Sequence, residues 1–207
     1  MTKIYLIRHA EAEGNLYRRI QGHWDGSITP LGLQQIDALA QRFRREHIDA
    51  LYCSDLSRAR ATAEAITRYH DIPAVATPRL TEICMGVWEG RAWGDVEHEF
   101  PEQMRYFNTD PDRWSVPGCE PFRDVQKRMK RAISDLAARH DGQTIALVSH
   151  GMAIRAYLCT ALGIPNSEMA TLPYGDNTSV SLLLVDGDNT TVEYYNDNRH
   201  LPDALST

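Results

Sequence analysis

Two short apolar runs, each ending in a histidine, constrain this chain more than any other feature. Ile4-Tyr5-Leu6-Ile7 leads into Arg8-His9, and Ile145-Ala146-Leu147-Val148 leads into Ser149-His150-Gly151. Each run is continuous and rich in branched side chains, the pattern of a strand buried on both faces of a parallel sheet. Each therefore carries its histidine at the carboxyl end of a strand, the edge where open α/β sheets bind ligands. If the two strands are neighbours, His9, His150 and Arg8 face one crevice.

The rest of the chain fits around them. Strand one covers roughly 3–7, and a polar loop follows from Glu11 to Thr29. Thr29-Pro30 reads as an N-cap with proline in the first helical turn. Leu31, Gln35, Ile36, Leu39, Ala40 and Phe43 then form one helical face to about Glu46. Ile48 to Cys53 is a second strand, and Ser54 or Asp55 can cap a helix over about Leu56 to His70. Ala74 to Thr77 is a short strand. Residues 93–117, with prolines and aromatics, are expected to form short helices over one end of the sheet. A long helix over Phe122 to His140, a strand at 143–149 and a helix at 151–162 ending at Gly163 come next. Ser179 to Val185 and Thr191 to Tyr195, joined by Asp186-Gly187-Asp188-Asn189, read as a hairpin. The order predicts an α/β fold, a three-layer αβα sandwich with a mostly parallel mixed sheet and a C-terminal hairpin. With 207 residues, the chain is long enough for one core and too short to require two domains. Residues 1–207 are therefore expected to form a single domain, with a cap-like insertion at about 83–122.

Charge and composition remove several classes of function. A net charge of −6 disfavours a nucleic-acid or polybasic membrane surface. No apolar run approaches the ~20 residues of a spanning helix, and Met1-Thr2-Lys3 leads into a strand without a signal-peptide pattern. Cys53, Cys84, Cys119 and Cys159 are scattered, with no CxxC pair, as in a reduced, cytoplasmic protein. Monomer and homodimer both stay open.

The chemistry lies in a convergence of basic groups. Ser54 through Ala63 opens a helix after strand two, again at a strand's carboxyl end. Arg60 there is expected on a solvated face. Arg58 sits in the first turn, where the helix dipole prefers acids, so it is expected to face an anion. His150 precedes a helix whose free N–H groups can bind an anion. Arg8, Arg58, His150 and that helix N-terminus could thus converge on one dianion, the cage that phosphoryl transfer needs. His9 would be its nucleophile. A structural ion-pair network is the alternative, although no acid directly follows either histidine. A metal centre from His9, His150, His23 and Glu82 is disfavoured, because no HxH or HExxH spacing occurs and two guanidiniums would repel a dication. A serine triad is disfavoured because G-x-S-x-G is missing.

Taken together, Arg8-His9, Ser54 through Ala63, Glu82 with Gly86-x-Trp88-Glu89-Gly90, and Val148-Ser149-His150-Gly151 resemble the histidine phosphatase superfamily. That superfamily holds cofactor-dependent phosphoglycerate mutases and many phosphatases. Asn15, Gln21-Gly22 and Thr29-Pro30-Leu31-Gly32 resemble its first loop, and Asn177-Thr178-Ser179 and Asn196-Asp197-x-x-His200-Leu201 resemble the ends of its phosphatase branch. The resemblance implies that neutral His9 attacks phosphorus and becomes a phosphohistidine. Arg8, Arg58 and His150 would hold the phosphoryl oxygens, and Glu82 would protonate the leaving oxygen and then activate water. Asn15, Gln21, Gly22, Gly151 and His200 would contact substrate. No metal or cofactor is implied, and the partner is a small phosphorylated metabolite.

Two positions depart from the family. Ala10 stands where a glycine usually follows the catalytic histidine, and Cys119 stands where related phosphatases often have glycine. A left-handed backbone at Ala10 would cost about 1 kcal/mol; Cys119 is expected to be a small buried residue. The leading expectation is a metal-independent phosphomonoesterase. The alternatives are a phosphoglycerate mutase and a non-catalytic or protein-directed member of the fold. Hydrolase is favoured over mutase because residues 83–122 contain only Arg91, Arg105 and Arg113 as Arg or Lys, beside eight acids. Arg18 and Arg19 in the first loop argue the other way, since they could grip a carboxylate. Lys127, Arg128, Lys130 and Arg131 are expected on a solvated helix face.

Overall fold

The structure is a computed structural model and describes residues 1–206. Its strands are β1 (Thr2–Arg8), β2 (Ala50–Cys53), β3 (Ala74–Ala76), β4 (Thr144–Ser149), β5 (Val180–Asp186) and β6 (Asn189–Asp197). They form one sheet in the order β3-β2-β4-β1-β5-β6. The pairs β1/β4, β4/β2 and β2/β3 are parallel, while β1/β5 and β5/β6 are antiparallel. The expected mixed, mostly parallel sheet with a terminal hairpin is what forms. Arg8 stands opposite Ser149 in the β1/β4 register, so the two strands end side by side and deliver His9 and His150 together.

The helices are α1 (Glu13–Leu16), α2 (Pro30–Phe43), α3 (Ser57–Thr67), α4 (Trp93–Glu99), α5 (Pro101–Thr109), α6 (Phe122–Arg139) and α7 (Gly151–Leu162). Alternating strand residues face opposite sides, which makes three layers. Ile4, Leu6, Ile145 and Leu147 pack with Val125, Met129 and Ile133 of α6 and with Ala153 and Tyr157 of α7. Tyr5, Ile7, Ala146 and Val148 pack with Ile36, Leu39 and Phe43 of α2 and with Ala59, Ala63 and Ile66 of α3.

Local chemistry sets the helix ends. Thr29 caps α2 as expected, its hydroxyl accepting the Gly32 N–H at 3.0 Å. Gly163 ends α7 in the left-handed region, φ 68°. Neither Ser54 nor Asp55 caps α3: the N-cap is Leu56. Asp25, from the first loop, instead accepts the Ser57 N–H at 2.7 Å. That loop is more ordered than its polarity implied, for it contains α1 and is pinned by bridges between Ala12 and Ile28 and between Arg19 and Ala92. A 3-10 turn at Asn166–Thr171 was not legible in the pattern.

Helices α4 and α5 lie in the segment expected to cap the sheet. Trp88 is fully buried, with ring centroids of Trp114 at 5.5 Å and Phe107 at 5.9 Å. This aromatic cluster is continuous with the core between the sheet and α6 and α7.

Candidate active site

The carboxyl ends of β1, β2 and β4 open onto a crevice of about 520 Å³, lined by Arg8, His9, Arg58, Glu82 and Gly151 among others. His9 is anchored by its backbone, with its N–H on Ser149 O at 2.9 Å and its carbonyl accepting Asn177 Nδ2–H at 2.8 Å. Its Nδ1 lies 2.7 Å from Ala10 O. A carbonyl only accepts, so Nδ1 carries the proton and Nε2 keeps the lone pair. Burial, then Arg58 and Arg8, hold His9 far below the ordinary histidine range, so the ring is neutral at pH 7. His150 lies 5.0 Å from His9, centroid to centroid. Burial and then Arg58 hold it well down too.

Two guanidiniums flank the histidines. Arg8 donates to Gly175 O, and a side chain at Gly151 would bring its Cβ within 3.3 Å of Arg8 Nε. Arg58, fully buried in the first turn of α3, donates to Gly22 O at 2.8 Å and to Trp24 O at 3.0 Å, with Asp25 Oδ1 at 3.4 Å. Part of its donor capacity is therefore spent on the first loop. Arg8 Nε, Arg58 Nε, Gln21 Oε1 and both ring nitrogens of His150 are buried with no protein hydrogen-bond partner among the described residues, as are the indole nitrogens of Trp88 and Trp114 in the aromatic cluster. Those of Arg8, Arg58 and Gln21 belong to residues that line the crevice, where a ligand's groups could complement them.

Glu82 enters from a 3-10 turn at Pro78–Leu80. The turn is tied to the sheet by Ser149 Oγ–H on Leu80 O at 2.6 Å, and Thr81 Oγ1 donates to Asp55 in the loop after β2. The Glu82 carboxyl accepts the N–H groups of Ile83 at 3.0 Å, Met152 at 3.0 Å and Ala153 at 2.8 Å. The helix N-terminus expected to receive a phosphate therefore receives this side chain at Met152 and Ala153. Four helix donors need partners, and Glu82 supplies two.

The family model for the histidine phosphatase superfamily, branch 1, matches residues 4–198. The chain belongs to the histidine phosphatase superfamily. It is 34% identical to phosphoserine phosphatase 1 of Hydrogenobacter thermophilus over 183 residues, covering 88% of this chain and 86% of that protein. It is also 34% identical to the probable phosphoglycerate mutase GpmB of Yersinia pestis, over 80% of this chain and 77% of that one. Among solved structures, Bacillus stearothermophilus YhfR superposes with a TM-score of 0.93 at 32% identity, covering 97% of this chain and 99% of that one. The expected family, fold and phosphomonoester-hydrolase class stand.

Within this histidine phosphatase, the structure sorts the other expected residues. Asn15, Gln21 and Gly22 line the crevice; Asn15 Oδ1 accepts Gln21 Nε2–H at 3.2 Å and Ala12 N–H at 3.1 Å. His200 does not line it. That imidazole lies 3.1 Å from Arg42 Nη1 and 3.2 Å from Thr178 Oγ1, and burial and Arg42 push it down to about 4. Ala10 is buried and outside the left-handed region, so its methyl imposes no backbone strain. Cys119 is half-buried rather than buried. Arg128 was misplaced. Instead of facing solvent, its Nη2 donates to Glu82 O at 3.1 Å, while Nε and Nη2 grip Glu120 at 2.7 and 2.9 Å. A helix-face pattern carries no signal for that reach. Asn177 and Tyr174 also line the crevice; of the two, only Asn177 falls in a segment that resembles the family.

Proposed function

We propose that this chain hydrolyses small phosphomonoesters through a phosphohistidine on His9, without a divalent metal. The observation that carries the reading is the fixed tautomer of a buried, neutral imidazole. Its Nδ1–H is spent on Ala10 O, so Nε2 is the nucleophile. Nε2 attacks phosphorus, the bond from phosphorus to the leaving oxygen breaks, and Glu82 supplies that oxygen's proton. Glu82 then takes a proton from water, which attacks the phosphohistidine and releases phosphate. Glu82 Oε1 accepts two N–H groups and Oε2 one, which makes Oε2 the oxygen with room for the travelling proton. Arg8, Arg58 and neutral His150 face the phosphoryl oxygens, whose charge grows in the transition state. Asn15, Gln21, Gly22 and Gly151 shape the space for substrate.

The substrate is a small phosphorylated metabolite. Met85, Trp93 and Phe107 give the crevice apolar walls, and Arg18 and Arg19 line it too. These arginines suit a second acidic group, such as the carboxylate of the substrate named for the phosphoserine phosphatase relative. They are also what favours the mutase reading. Against it, Arg91, Arg105 and Arg113 do not line the crevice and are engaged elsewhere, Arg91 with Glu99 and the other two over Tyr106. In this reading residues 83–122 are the cap of a single domain. The net charge of −6 and the free cysteines support a cytoplasmic setting without a nucleic-acid partner.

The deciding assay compares two rates. One is interconversion of 2- and 3-phosphoglycerate primed with 2,3-bisphosphoglycerate; the other is phosphate release across a monoester panel. Phosphate release should dominate. Mutase flux well above the best hydrolytic rate would reverse the assignment.

A further inference from the structure

We propose that His23, Cys84 and Glu89 form a binding site for a borderline-soft divalent cation, zinc foremost, beside the crevice and outside the hydrolytic machinery. Each residue offers one ligand atom, and these atoms lie within 4.8 Å of one another. Around a tetrahedral zinc with bonds of roughly 2.0–2.3 Å, ligand atoms sit about 3.3–3.8 Å apart. Small side-chain rotations therefore close the set. One nitrogen, one sulfur and one oxygen favour zinc over magnesium or calcium, which take oxygen ligands.

The surroundings hold these side chains in the poses a cation needs. His23 Nε2 lies 2.9 Å from Glu82 O; donation there leaves the lone pair on Nδ1. Metal-bound histidines are oriented in this way, through a partner on the other ring nitrogen. Glu89 Oε1 accepts the N–H groups of Met85 at 2.8 Å and His23 at 3.0 Å, which fixes the carboxylate and leaves Oε2 for an ion. Gly22 permits that approach: a Cβ there would lie 2.4 Å from Glu89 Oε1. The Cys84 carbonyl accepts the Glu120 N–H at 2.9 Å, so the backbone under the thiol is pinned.

The local charges agree. Glu89 and Glu120 place negative charge beside the Cys84 thiol, charge that a divalent cation would offset. The guanidiniums on this side are paired, Arg58 with Asp25 and Arg128 with Glu120. The proposal does not depend on the hydrolytic reading, since none of its three ligands belongs to that machinery.

The test uses the full chain after chelator treatment. Cobalt titration should show about one equivalent per chain and a thiolate-to-cobalt charge-transfer band, displaced by zinc with a dissociation constant on the order of 1 µM. Cys84→Ser should remove the band, and both Cys84→Ser and His23→Ala should weaken zinc binding at least about tenfold. Wild-type thermal melts by circular dichroism will show that these variants fold. His9→Ala should keep both band and affinity, which separates this site from one built on His9, His150 and Glu82. Undiminished zinc affinity in both Cys84→Ser and His23→Ala, or a cobalt complex of the wild-type protein without a thiolate band, overturns the proposal.

Discussion

The Glu82 carboxyl accepts the Ala153 N–H at 2.8 Å, so the proposed acid and the first turn of α7 hold each other in place. Glu82→Gln keeps the shape but removes the proton donor and one acceptor. Turnover should fall by ~10²–10⁴, and by less for p-nitrophenyl phosphate, whose leaving group needs little protonation. Equal losses for good and poor leaving groups in steady-state assays would reduce Glu82 to a structural role.

His9→Ala should abolish turnover. Rapid quench of the wild-type protein with labelled substrate should trap an acid-labile, base-stable adduct that the variant lacks. Hydrolysis by the variant at the wild-type rate would remove His9 from the mechanism.

Arg128 acts on Glu82 through its backbone carbonyl. Arg128→Met should lower kcat by about 10- to 100-fold, the scale on which small misplacements act, with KM little changed. A rise in KM at constant kcat would instead place Arg128 in substrate binding.

His200 gives a pH signature without a catalytic one. Its folded-state value is pushed down to about 4, against about 6.5 for an unfolded chain. As pH falls below 6.5 the unfolded chain takes the proton first. The stability this residue contributes is therefore complete above 6.5, declines on the way down to about 4, and then levels off. His200→Gln should flatten the fall in Tm over that window and leave KM unchanged. An increased KM with an unaltered Tm profile would restore a substrate contact.

Trp88→Ala should destabilise the protein by about 3–5 kcal/mol, read from urea unfolding, because the indole is fully buried among Phe107 and Trp114. A change below about 1 kcal/mol would mean that this aromatic cluster does not hold the cap segment to the core.

Much of this was legible in one sequence because the informative groups are local. Strand runs announce themselves by continuous apolar side chains; Arg8 ends one strand, His9 and His150 directly follow strands, and Arg58 lies in the first turn of the helix after another. Thr29-Pro30 encodes its own cap. What was not legible depends on long-range pairing. Asp25 stands in for the missing cap of α3, Arg128 reaches over to the Glu82 carbonyl, and Glu82 occupies helix donors that seemed open to a ligand. His200 lies outside the crevice for a related reason: a residue's place in a familiar segment does not say that its partners are Arg42 and Thr178. Ala10 was read as a departure that threatened strain, and only its backbone angles, outside the left-handed region, remove that concern.

Because Glu82 is seated on α7, the helix's positive end is largely answered by the protein's own carboxyl. Attraction for a phosphate ester is left to Arg8 and Arg58, guanidiniums that stay protonated throughout the working pH range, and to histidines whose charge is suppressed. These two arginines and two histidines thus form a fixed electrostatic background. Between pH 5 and 8 the titrating partner is the ester itself, which loses its second proton near about 6. Product inhibition by inorganic phosphate should therefore strengthen along the ligand's own ionisation curve, as though the enzyme were a static electrode reading the charge of what it binds.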